Sequence, residues 1–209
     1  MSFHANIGAG RRGATAGGAG GGGAVAGGLA PDTLVATRSG PVPAGRLRPG
    51  DAILTRDRGY RPLLWAGHGR GRASGGAAVI PPDALGPGLP CRMLRLAPGH
   101  ALLVDARALL PLLGTAEALA PAAALGRVQS GRPSGGFVHL LLATHELILA
   151  EGAWIESLPP LAAFRVFPSR ALGWADRLLA EPQAALRPRI VPPDLSLPPT
   201  AIRPPPEAA

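Results

Sequence analysis

The sequence predicts an all-β domain of short, twisted, mostly antiparallel strands between two flexible termini. Brief β-branched and apolar runs recur through the middle of the chain, and Gly, Pro, Ser and Asp clusters separate them. Glycine (30) and proline (25) together exceed a quarter of the residues, which ordinarily signals disorder, yet the glycines crowd the beginning and the prolines the end. The middle is therefore free to fold. Clean helical stripes are lacking: Pro121 limits the alanine-rich stretch 115–125, and Leu172, Asp176 and Leu179 do not share one helix face.

In chain order, residues 1–27 carry a GAGGGGAVAGG tract that buries too little surface to offset the entropy of ordering it, and read as a tail. From Thr33 the texture changes. TLVAT is a short strand, SGP a turn, VPAGRL an alternating segment, RPGD a second turn and AILT the next strand. YRPLLWAG reads as one further strand with Pro62 at an edge or bulge, because proline donates nothing to a ladder. After the loop PPDALGPGLP come RMLRLAP and HALLV, pivoting on Pro98 and Gly99; residues 115–125 read as a short helix. FVHLLLA and HELILAE read as a strand pair, followed by AWIES. The expected organisation is a tail over 1–27, a β domain over 28–166, and a short helix with a Pro-rich tail over 167–209.

The chain of 209 residues is long enough for one domain with a real core, at 46% hydrophobic content. All of its 21 basic residues are Arg, and they set a formal charge of +8. Such a charge attracts anions but does not specify a fold. The single cysteine, Cys91, excludes an internal disulfide and any multi-thiolate metal site. No apolar run reaches the roughly 18 residues of a membrane span, so none is expected. Arg11 and Arg12 before a Gly/Ala-rich stretch faintly resemble a twin-arginine signal, but glycine makes a poor apolar core; a cytoplasmic location is favoured with export left open.

The order of these pieces is more specific than any one of them, and it resembles the Hint family, shared by Hedgehog C-terminal regions and inteins, in its bacterial subgroup opening with Cys-x-x-Pro-Gly-Thr. The first block is GLAPDT from Gly28, followed by Gly50, Asp51, Asp57 and Gly59 in the family's Gly-Asp-x-x-x-x-x-Asp-x-Gly spacing and closed by Trp65. The second is LAPGH at 96–100, and the third is FVHLLLATHELILAEG at 137–152, followed by Glu156 and Ser157. The resemblance implies a horseshoe-like all-β fold with its first residue set centrally beside the other two blocks. In active members a Cys there attacks the preceding carbonyl to make a thioester, while a histidine of the second block distorts and protonates the departing amide nitrogen.

Carried over position by position, the resemblance gives a scaffold with gaps. The family's cysteine falls on Gly28, which has no side chain to attack with, and the second-block hydroxyl falls on Ala97. His100, His139 and His145 remain as the family's site positions. A neutral reading of His100 is a buried imidazole bonded to its neighbours. Splicing needs a terminal asparagine, and the only asparagine is Asn6. With no close ligand pair such as Cys-x-x-Cys, no metal or other cofactor is expected.

The leading expectation is thus a degenerate Hint domain without autocatalytic cleavage, a monomeric binding or structural unit whose protein partner is unknown. The alternatives are residual self-processing at the Gly27–Gly28 bond, with His100 activating water, and an anion-binding module built on Arg46, Arg48, Arg56, Arg58, Arg61, Arg70 and Arg72. Against nucleic acid, only Tyr60 and Trp65 offer stacking rings in that stretch.

Overall fold

The computed structural model describes residues 27–68, 76–107, 110–130, 134–166 and 186–189. The expected tail 1–27 (apart from Gly27), Arg70 and Arg72, the helix near 169–181 and most of the Pro-rich tail lie outside the described residues. Within them the architecture is all-β. Its strands are β1 Leu34–Thr37, β2 Gly40–Pro43, β3 Ala52–Thr55, β4 Gly59–Pro62, β5 Trp65–His68, β6 Ala77–Ile80, β7 Leu94–Leu96, β8 Ala101–Asp105, β9 Glu117–Pro121, β10 Arg127–Gln129, β11 Val138–Leu141, β12 Leu147–Ala150 and β13 Ala153–Glu156. The α-helices are short, at Leu110–Leu113, Ala122–Leu125 and Pro160–Val166. No helix among the described residues is long and apolar enough to cross a membrane.

The main sheet runs β2-β1-β3-β12-β13-β8-β9, with β4 added on β3; β10-β6-β7 and β11-β5 form two smaller groups. All the strand pairings are antiparallel. The β12–β13 hairpin closes through Glu151 and Gly152, with φ of 47° and 82°. Positive φ at both central residues gives the turn whose twist matches that of its strands, and a glycine takes the second place at little cost.

Alternation within the strands builds a core on both faces of the sheet. Leu102 and Ile155 pack with Ile53 and Ile148 on one side, while Ala101, Leu103 and Trp154 pack with Leu147 and Leu149 on the other. Burial on both faces explains why HALLV, LILA and AWI read as continuous apolar runs.

Three local expectations change. The segment Tyr60–Gly67 is two strands, because Leu63 donates to the Asp51 carbonyl and Leu64 to the Leu141 carbonyl: the chain leaves β3 and crosses to β11. The alanine-rich stretch is a strand over Glu117–Pro121 and a helical turn only after it, since pairing with β8 overrides the modest helix preference of alanine. FVHLLLA and HELILAE do not pair with each other: β11 pairs with β5, and β12 with β13, β3 and β1.

Leu102 is fully buried between β13 and β9. Leu102→Ala is expected to cost roughly 2–5 kcal/mol in urea denaturation. A loss under about 1 kcal/mol would mean that this face of the sheet is not the core.

Candidate functional site

The site starts from main-chain pairing. Residues 28–30 run as a single thread between β7 and β11. Leu29 exchanges hydrogen bonds with Val138 (2.9 and 2.8 Å), Ala30 donates to Arg95 (2.9 Å), and Ala97 donates to Gly28 (2.9 Å). Leu29, 1% exposed, anchors the thread in the core. The second and third sequence blocks therefore flank the first.

The LAPGH turn then aims His100 back at this thread. His100 N–H closes the turn on the Ala97 carbonyl (2.9 Å), and the helical turn from Ala122 donates to the carbonyls of His100 (2.7 Å) and Pro98 (2.9 Å). With its backbone tied at both ends, the ring places Nδ1 2.9 Å from the Gly28 amide nitrogen, which donates to it. An Nδ1 that accepts carries no proton, so the neutral imidazole holds its proton on Nε2. That atom is buried and has no hydrogen-bond partner among the described residues.

Gly28 sits at φ +126°, a conformation that side-chain-bearing residues avoid. A Cβ built there would meet Phe137 Cβ at 2.7 Å, the Val138 carbonyl oxygen at 3.3 Å and His139 Cε1 at 3.4 Å. Ala97 is buried and contributes its N–H to Gly28, so this position serves the thread through its backbone.

His100 and His139 thus both lie against Gly28, whereas the contact of His145 is with Glu156. His145 precedes β12, half-buried, with Nε2 3.2 Å from Glu156 Oε2. The other oxygen of Glu156 accepts the Ala101 N–H (3.0 Å), next in sequence to His100. Glu156 also pairs with Arg189. It is the junction of this side of the site, joining His145, the start of β8 and an arginine from near the C-terminus. Its sequence signal is a carboxylate ending the apolar run AWIE, which a buried strand end must pair. No comparable signal marks Arg189 within its proline-rich surroundings.

Burial fixes the charge states. It lowers the pKa of His100 to about 4; Glu156 opposes this, and Arg189 and His145 add to it. Burial likewise lowers His139 to about 4, with His100 and His68 contributing. For Glu156, burial pushes upward, but His145, His100 and Arg189 outweigh it and hold the carboxyl below its ordinary range. At neutral pH the centre is two neutral imidazoles around an amide, beside an ionised carboxylate.

The arginine-rich stretch is partly committed to internal pairs. Arg56 pairs with Glu117 and lies over Trp154 at 5.9 Å, Arg58 pairs with Glu146, and Arg38 lies over Tyr60 at 4.9 Å. Cys91 is exposed, with Sγ 3.8 Å from Glu151 Oε2; burial of the sulfur, then the Glu151 charge, raises its pKa. Among the described residues no group of His, Cys, Asp and Glu is arranged to hold a metal ion.

Comparisons with known proteins give a family match and a structural likeness. A family model described as "Hint domain" matches residues 28–162. Among solved structures, the crystal structure of the gp41-1 intein is similar at 16% identity, covering 64% of this chain and 98% of that chain, with a TM-score of 0.31. No curated protein matches the chain.

The lowered histidines give stability a pH dependence of defined sign. An unfolded histidine titrates near 6.5, so between about pH 6.5 and pH 4 the unfolded chain binds more protons than the folded one. The stability that depends on these neutral rings is complete above pH 6.5 and falls as pH drops toward 4, by roughly 3 kcal/mol per histidine at most. Urea midpoints measured across this range should decline, and His139→Gln should remove part of the slope. A flat profile in the wild type would show that the rings are not held neutral.

Proposed function

Because the chain belongs to the Hint domain family over residues 28–162, we propose that it is a non-cleaving Hint domain, retained as a binding or structural unit. The observation that supports this most directly is Gly28, where the family's attacking thiol would stand. The position lacks a nucleophile, and its φ of +126° and the 2.7 Å approach of Phe137 leave no ordinary place for a side chain. Nucleophilic catalysis needs a thiol or hydroxyl within reach of the scissile carbonyl. The state of His100 argues the same way: the nitrogen facing Gly28 accepts a hydrogen bond, and a pKa of about 4 keeps the ring neutral, so at neutral pH no proton is poised toward the amide nitrogen.

One contact favours a second reading, residual self-processing. His100 Nδ1 touches the nitrogen of the Gly27–Gly28 bond, 2.9 Å away, where a general acid for its cleavage would have to be. Hydrolysis there would add water to the Gly27 carbonyl carbon, break the C–N bond, and pass a proton to nitrogen, leaving a Gly27 carboxylate and a Gly28 amine. The two arginines that take part in pairs to Glu117 and Glu146 weaken a third reading, a free anion-binding face.

Intact-mass spectrometry over days separates the first two. A single full-length species is expected; a growing product that begins at Gly28 would refute the proposal, and its disappearance in His100→Ala would establish self-processing. Gly28→Cys tests the steric argument. It should destabilise the fold by about 1–3 kcal/mol and yield no hydroxylamine-sensitive product. Thiol-dependent cleavage in that variant would show that the backbone still accepts a nucleophile.

A further inference from the structure

Residues 186–189 return to the outer edge of β9, the last strand of the main sheet. Leu119 N–H donates to the Pro188 carbonyl (2.8 Å), and Leu119 and Arg189 form a parallel bridge. This is strand addition to an open edge. Pro188 suits its place because it offers the carbonyl and has no N–H to leave unpaired.

The side chains define what the edge selects. In an extended segment, residues 187 and 189 point to the same side, about 6.6 Å apart. Arg187 places Nε 2.7 Å from Glu117 Oε2 and Nη2 3.0 Å from Asp57 Oδ1, and Arg189 pairs with Glu156. The acceptors come from the β3–β4 turn, from β9 and from β13, so the spacing of the two guanidinium groups is matched by the folded sheet and not by one local stretch. Leu186 adds an apolar contact to the cluster around Trp154.

We infer that the β9 edge, with Asp57, Glu117 and Glu156, is a recognition site for an extended Arg-x-Arg segment, filled in cis by residues 186–189 and open to the same segment from another protein. The hold is exchangeable in kind. Among the described residues it consists of one ladder hydrogen bond, the Leu186 contact, and ion pairs whose arginines are 25% and 51% exposed and which added salt weakens. Attachment in the same chain supplies the effective concentration that keeps the edge filled. Occupancy also reaches the histidine cluster, because Arg189 shares Glu156 with His145.

The probe is a fluorescent Leu-Arg-Pro-Arg peptide titrated by polarisation into the full-length chain. The double variant Arg187→Ala/Arg189→Ala vacates the edge and should bind the peptide at least about tenfold more tightly than the wild type, and Glu117→Gln in that background should remove about tenfold. Added salt should weaken binding, and a peptide with both arginines replaced by glutamine should not bind. Equal affinity for the wild type and the double variant, or affinity indifferent to Glu117→Gln, overturns the inference. Should the double variant fail to fold, the Leu119 amide of the wild type reads the same exchange by NMR: excess peptide carrying a spin label broadens it if the edge is exchangeable, and an unbroadened signal overturns the claim.

Discussion

The main-chain ladder that sews residues 28–30 between β7 and β11 is the constraint from which the site follows. Backbone donors and acceptors that leave water must find partners, and here Gly28, Leu29 and Ala30 find them in Ala97, Val138 and Arg95. These bonds are made by main-chain atoms, but the φ of +126° and the 2.7 Å approach of Phe137 Cβ to a Cβ built at position 28 favour glycine there. The ladder presents the Gly28 amide to His100 Nδ1 at 2.9 Å.

The same ladder determines the chemistry available to the histidines. Burial of His100 is enforced by the turn tied to Ala97 and Ala122, and a buried imidazole sheds its charge. Once Gly28 donates to Nδ1, the tautomer is fixed and the remaining proton points away from the amide. Glu156 supplies the compensating charge from the far side, where it holds the Ala101 N–H, faces His145 and pairs with Arg189. A carboxylate this buried is tolerable because several donors surround it. Gly28 is thus held by its neighbours' backbone and by the His100 ring, while the Glu156 carboxylate joins His145, the Ala101 N–H and Arg189.

Local signals served well where local rules suffice. TLVAT and AILT became β1 and β3, and the LAPGH turn formed around Pro98 and Gly99; His100 and His139 lie against Gly28, and His145 lies against Glu156. They failed where a distant partner decides. The alanine-rich stretch 115–125 favours helix in isolation, but β8 offers it a ladder and two buried faces, and it takes the strand. The turn at Glu151–Gly152 could have been read as a hairpin, which would have directed β12 to β13 and left β11 for β5.

By itself, the sequence determined which runs are apolar enough to be strands, where glycine and proline interrupt them, and that position 28 carries no reactive side chain. These are properties of single residues and their near neighbours. Tertiary structure alone decided that Gly28 adopts φ +126° against Phe137, that Glu156 joins His145 to Arg189, and that residues 186–189 close the edge of β9. Each depends on groups far apart in the chain, and their meeting is set by how the sheets share burial on both faces and satisfy their remaining hydrogen bonds, which no local pattern encodes.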